Sequence, residues 1–117
     1  MLFELRQYRM RPGQSENWVK FMEEVIIPFQ TEKGMTILGS WVGEEEDDLF
    51  VWIRSFASEA DRERLYKEVY ESDYWKEQVA PRIPEMMDRE KIKVTRMTPT
   101  PQTEAAHLAS GVGAAAT

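Results

Sequence analysis

Apolar and polar residues alternate from the start of the chain. In residues 3–10, FELRQYRM, Phe3, Leu5 and Gln7 fall on one side of an extended segment and Glu4, Arg6 and Tyr8 on the other, because strand side chains change face at every residue. The spacing predicts a strand. One of its faces is apolar at its start and suited to rest on helices; the other carries an acid, a guanidinium and a phenol in a row. Arg11-Pro12-Gly13 breaks the pattern. From about Ser15 the period changes: Trp18, Phe21, Met22, Val25, Ile26 and Phe29 step by three and four, one stripe of an amphipathic helix. Pro28 should end or kink that helix near its last turns, and Gly34 fits the left-handed position just past a helix C-terminus.

Alternation resumes in residues 35–43, MTILGSWVG, with Ile37, Gly39 and Trp41 on one face and Leu38, Ser40 and Val42 on the other. The acidic run 44–48 is a turn. Residues 49–55, LFVWIRS, predict a third strand, Val51 and Ile53 facing one way and Phe50, Trp52 and Arg54 the other. Ser58-Glu59-Ala60-Asp61 has the hydroxyl and acid of a capping box, and the helix it opens carries Leu65, Tyr66, Val69 and Tyr70 along one side. Ser72-Asp73 interrupts and recaps it. A second helical piece holds Trp75 and Val79, Pro81 and Pro84 stop it, and Met86 and Met87 plug a gap. Residues 90–97, EKIKVTRM, predict the last strand, with Ile92 and Val94 inward.

The order β-α-β-β-α-β belongs to the α+β class and matches the ferredoxin-like split βαβ arrangement, a four-stranded antiparallel sheet with helices on one face. The expectation for the uncovered face is Tyr8, Trp41, Phe50 and Trp52, too much aromatic surface to leave in water. A second copy is the simplest cover, and two sheets meeting there make a homodimeric α+β barrel. Residues 1–98 form this domain. Residues 99–117 change to Thr-Pro repeats and then Ala and Gly, the composition of a flexible C-terminal tail.

Composition narrows the function. With 117 residues the chain suits one domain, and a net charge of −6 argues against nucleic acid and anionic membrane surfaces. No apolar run reaches the length of a membrane span, and MLFELRQY lacks the basic-then-apolar pattern of a secretory leader, so a cytoplasmic location is expected. The absence of cysteine excludes disulfides, thiolate nucleophiles and zinc–thiolate sites. The acids at 44–48 lack the alternate-position ligands and turn glycine of a calcium loop, and read as a solvated hairpin tip. No phosphate loop, dinucleotide fingerprint or metal triad is present, so neither metal nor cofactor is expected. The single histidine, His107, lies in the tail, where solvent exposure is expected.

Six stretches taken together, ELRQYRMRPG, IIPFQTEKG, ILGSWVG, VWIRSF, SDYW and VTRM, resemble a NIPSNAP-family domain over residues 2–98. The resemblance implies the dimeric α+β barrel. It implies little biochemistry, since that family has no agreed catalytic residues. The wider barrel superfamily includes cofactor-independent monooxygenases, haem-degrading enzymes, dehydratases and isomerases, which are analogies of fold.

The residues themselves supply the candidate site. Glu4, Arg6, Tyr8, Trp41, Phe50, Trp52 and Arg54 are the expected ligand-binding set on the non-helical face. Two guanidiniums and a phenol suit a carboxylate, enolate or phenolate, and the indoles suit a flat hydrophobic ligand. If the protein is an enzyme, Arg6 and Arg54 steady developing negative charge while Tyr8 or Glu4 transfers a proton. The alternative is a non-catalytic interaction module, in which Glu4 neutralises Arg6 or Arg54 and the aromatics only pack a dimer core. An open cavity lined by these residues favours the first; a filled interior favours the second.

Overall fold

The computed structural model describes residues 1–109. Strand β1 (Leu2–Arg9) leads to a helical run made of α1 (Ser15–Phe21), a π-helical turn (Met22–Ile26) and α2 (Ile27–Lys33). Then come β2 (Thr36–Val42), β3 (Leu49–Phe56) and α3 (Glu59–Tyr70). A second π-helical turn (Trp75–Val79), a 3-10 turn (Ala80–Arg82) and α4 (Ile83–Met86) precede β4 (Lys93–Met97) and α5 (Pro101–Ala109). The four strands order as β2-β3-β1-β4, every pair antiparallel, which is the ferredoxin-like arrangement expected from the sequence.

Local chemistry accounts for the boundaries. Gly34 closes α2 at φ 110°, and the Met35 N–H reaches back to the Gln30 carbonyl at 3.0 Å, a left-handed cap that favours glycine. Ser58 caps α3 by accepting the Asp61 N–H at 3.1 Å. Ser72 ends that helix and starts the next, donating to the Val69 carbonyl and accepting the Trp75 N–H. Pro28 does not stop the first helix, which runs on to Lys33. The π-helical turn directly before it carries the Ile27 N–H to the Met22 carbonyl, so the register has already slipped where proline lacks its N–H. Pro81 and Pro84 do not end the second helical run either. Each sits in the first turn of a new short helix, a position where its missing N–H costs nothing.

The sheet faces are the reverse of the sequence expectation. Tyr8, Phe50 and Trp52 join the buried cluster built by Trp18, Phe21, Met22 and Ile26, and Phe56 joins Leu65 and Val69 of α3. Glu4 and Arg54 lie on this same helix-covered face, both wholly buried. The reason is area: each large aromatic side chain buries roughly 150–250 Å², so the face holding Tyr8, Phe50, Trp52 and Phe56 gains more under helices than Leu5, Val51 and Ile53 can. Trp41 is the exception among the candidates. It pairs with Val51 on the outer face and stays 51% exposed. An irregularity between Ile37 and Gly39 places Ile37 opposite Arg54 while Gly39 and Trp41 fall opposite Ile53 and Val51, so one extra residue separates Ile37 from Gly39 and Trp41. Val94, expected inward, is 43% exposed on the edge strand.

The start of the C-terminal segment is ordered as α5 rather than left without structure. His107 meets the ring of Phe3 edge-on at 4.8 Å on the outer face. Residues 110–117 of the expected tail lie outside the described residues.

Candidate functional site

The site starts from the pairing of β1 with β3, which sets Glu4 opposite Arg54, Arg6 opposite Trp52 and Tyr8 opposite Phe50. Helices then add partners from far along the chain. Glu4 accepts from Arg54 Nη2 and from Arg62 Nε, each at 2.7 Å, and from the Tyr66 hydroxyl. Arg54 Nη1 donates to Gln30 Oε1 at 2.8 Å and to the Tyr70 hydroxyl at 2.7 Å. The rings of Trp52, Phe56, Tyr66 and Tyr70 surround its guanidinium at 4.8–5.8 Å. A buried charge is tolerable only when paired and hydrogen-bonded, and this pair is both. Burial by itself would raise the Glu4 carboxyl. The charge of Arg54 and the hydrogen bonds from Tyr66, Arg62 and Arg54 override it and hold Glu4 at about 2. Burial, followed by the hydrogen bond to Glu4, pushes the Tyr66 phenol up to about 12 although Arg54 opposes it.

Beside this network lies a cavity of about 120 Å³ between the sheet and the helices. Arg6, Tyr8 and Trp52 line it; Glu4, Phe50 and Arg54 stand outside its lining, and Trp41 is on the far side of the sheet. Trp18, Gln30, Tyr70, Trp75 and Arg89 complete its polar and aromatic wall. These five lie outside the candidates that strand alternation supplies. Trp18 reads as ordinary core on its helical stripe, and only the tertiary fold brings Gln30, Tyr70 and Arg89 to the strands. Both π-helical turns contribute wall residues, Met22 and Ile26 from the first and Trp75 from the second. Such turns often mark functional positions.

The cavity is rich in donors. Arg6 Nε donates to the Tyr8 hydroxyl at 2.8 Å, while Nη1 comes no nearer than 3.8 Å to Glu4. Among the described residues nothing accepts from Arg6 Nη2 or from the Tyr8 O–H. The indole N–H groups of Trp18 and Trp52 are buried without an acceptor. Burial raises the Tyr8 phenol above its ordinary range, with Arg6 opposing, so it is a proton-bearing donor at neutral pH. No Asp, Glu or His lines the cavity, and the described residues hold no cluster suited to a metal ion. No helix among the described residues is long and apolar enough to cross a membrane.

Comparison with known proteins places this fold. None of the curated proteins compared matches the chain. Among solved structures, an uncharacterized NIPSNAP domain protein from Burkholderia xenovorans superposes with a TM-score of 0.76 at 19% identity, covering 86% of this chain and 96% of its own. A protein from Agrobacterium tumefaciens gives 0.78 at 22% identity, covering 88% and 97%. An antibiotic biosynthesis monooxygenase gives 0.65 at 16% identity, covering 86% and 100%. At these identities the likeness is one of fold. The NIPSNAP family model matches residues 3–102, and the chain belongs to the NIPSNAP family.

Proposed function

We propose that this protein binds a small hydrophobic or anionic molecule, and that its chamber is the cavity between sheet and helices within one chain rather than the space between two sheets. One observation carries this: the cavity is walled by aromatic and aliphatic side chains, carries polar groups that have protons to give, and has no carboxylate in its lining. That is the composition of a ligand site rather than of a filled core. In this reading Arg6, Tyr8 and Trp52 contact the ligand. Glu4 and Arg54 hold the wall behind them, Phe50 packs beneath, and Trp41 serves the outer face. A homodimer fits the same picture. Leu5, Val51 and Ile53 are half-buried on the outer face beside exposed Trp41, and a second copy is the occupant that would complete an α+β barrel.

The test is a thermal-shift screen of single-ring fragments against wild type and an Ile26→Trp variant, whose bulk fills the chamber. Binding predicts a raised midpoint in wild type that the variant loses. A wild type that no fragment stabilises would leave the interaction-module reading standing.

A second reading, turnover without a cofactor, has its own observation. Arg6 donates to a protonated Tyr8, and these two donors would steady an enolate formed when solvent hydroxide takes the α-proton; Tyr8 then returns a proton to the carbon and regains one from solvent. Its measurement is exchange of the α-protons of a small β-diketone into deuterated water. No acceleration over buffer, or an acceleration unchanged in Tyr8→Phe, removes this reading.

A further inference from the structure

The unmatched donors of the cavity go further and name a ligand class. We infer that the chamber selects a planar monoanion about the size of a single-ring carboxylate, its oxygens received by Arg6, by the Tyr8 hydroxyl and by the indole N–H groups of Trp18 and Trp52. This rests on the reading of the cavity as a binding chamber.

Three observations carry it. The first is the orphaned donors. Trp18 and Trp52 are 1% and 2% exposed, and both indole N–H groups lack a partner. Buried N–H groups are nearly always satisfied, and each exception asks for an explanation. An indole has a donor and no acceptor, so only an acceptor can supply the missing bond. Both residues line the same cavity, and both rings lie edge-on to Tyr8, at 5.8 and 6.4 Å between centroids. Two rings with unmatched donors therefore stand against one phenol whose own proton is uncommitted.

The second is charge. Two guanidiniums, Arg6 and Arg89, belong to the lining, and no acid does. Glu4, whose Oε1 lies 3.8 Å from Arg6 Nη1, is held more closely by Arg54, Arg62 and Tyr66. A cationic ligand would find no partner here, and a ligand rich in donors would leave the indoles unsatisfied. An anionic acceptor satisfies both. The third is size and shape. A cavity of about 120 Å³ compares with the apolar cavity of roughly 150 Å³ that takes up benzene. Flat rings of Trp52, Trp75 and Tyr70 suit a flat ligand.

The experiment uses the whole chain labelled with ¹⁵N. The four indole N–H signals, assigned by single Trp→Phe variants, are followed during titration with benzoate, benzamide, toluene and benzylamine. Trp41, on the other face, is the internal control. The expected result is that benzoate moves the Trp18 and Trp52 signals downfield, leaves Trp41 in place, and binds at least 10-fold more tightly than benzamide or toluene. Benzylamine should not bind. Arg6→Gln should weaken benzoate 10-fold or more, and the benzoate–benzamide comparison on wild type needs no variant to fold. If toluene or benzamide binds as well as benzoate, the chamber is real and the anion selection is overturned. If no probe moves Trp18 or Trp52, water alone fills the cavity, and both the selection and the binding reading fall.

Discussion

Glu4 and Arg54 face each other across β1 and β3 and close an ion pair at 2.7 Å with neither side chain exposed. The pair does more than neutralise itself. Glu4 ties α3 to the sheet through Arg62 and Tyr66, and Arg54 ties the first helical run to the sheet through Gln30. Both Nη atoms of Arg54 are engaged, only its Nε lacks a partner, and the residue stands outside the cavity lining, so the anion-binding role suits Arg6.

Arg54→Leu is accordingly expected to destabilise. It strands a buried carboxylate, and breaking a buried pair costs about 3–5 kcal/mol. For a domain of this size that lowers the thermal midpoint by more than about 10 °C. Adding Glu4→Leu to Arg54→Leu should recover part of the loss, because the two residues share one interaction. Calorimetry on the two singles and the double checks this, and strictly additive losses would contradict it.

Acid should weaken the protein in a defined window. Glu4 is held at about 2 in the fold against a reference of 4.5. Its folded value is depressed, so its contribution is fully present above the unfolded value. That contribution, about 3 kcal/mol, is lost as pH falls from about 4.5 towards 2. Urea midpoints across this window should fall steeply in wild type and more shallowly in Glu4→Gln. Parallel curves would assign the acid sensitivity to other carboxylates.

Assembly should depend on the outer face. Sedimentation of wild type is expected to give a species near twice the 13.7 kDa chain mass. Trp41→Asp, placing an unpartnered charge where that face would be covered, is expected to yield monomer or aggregate. A wild-type monomer at micromolar concentration excludes the dimer, and a dimeric Trp41→Asp variant would move the interface elsewhere.

Removing residues from Pro99 onward should cost a little. The contact of His107 with Phe3 is lost and the Phe3 ring, only 5% exposed, is uncovered. That amounts to about 1 kcal/mol, a fall of roughly 4–8 °C in the midpoint. An unchanged midpoint would show that α5 adds nothing to the fold.

Much of this was legible along the chain. Period-two spacing places Glu4, Arg6 and Tyr8 on one side of the first strand and Phe50, Trp52 and Arg54 on one side of the third, and the structure sets the two rows side by side on one sheet face. Which side the helices cover was not legible. Phe3 and Leu5 look like a core face, and they are outweighed by the aromatic area of Tyr8, Phe50, Trp52 and Phe56, joined by Arg62, Tyr66 and Gln30, whose reach to the sheet no local pattern records. Trp41 and Trp52 are expected together on the uncovered face, and only Trp41 lies there; the extra residue near Leu38 that shifts the register of β2 has no local sequence mark. The orphaned indole of Trp18 is the clearest limit, since a helical stripe of apolar residues does not say which of them lacks a hydrogen-bond partner.

The sheet is a single residue thick, and its two sides carry unrelated tasks. Positions 6, 8 and 52 look into the chamber, while 5, 51 and 53 look outward. Neighbours in sequence are thus insulated from one another in consequence. A change at an even position of β1 alters what the interior accepts without reshaping the exterior, and an odd one does the reverse. Relatives of one architecture can therefore diverge in chemistry and in company independently, one substitution at a time.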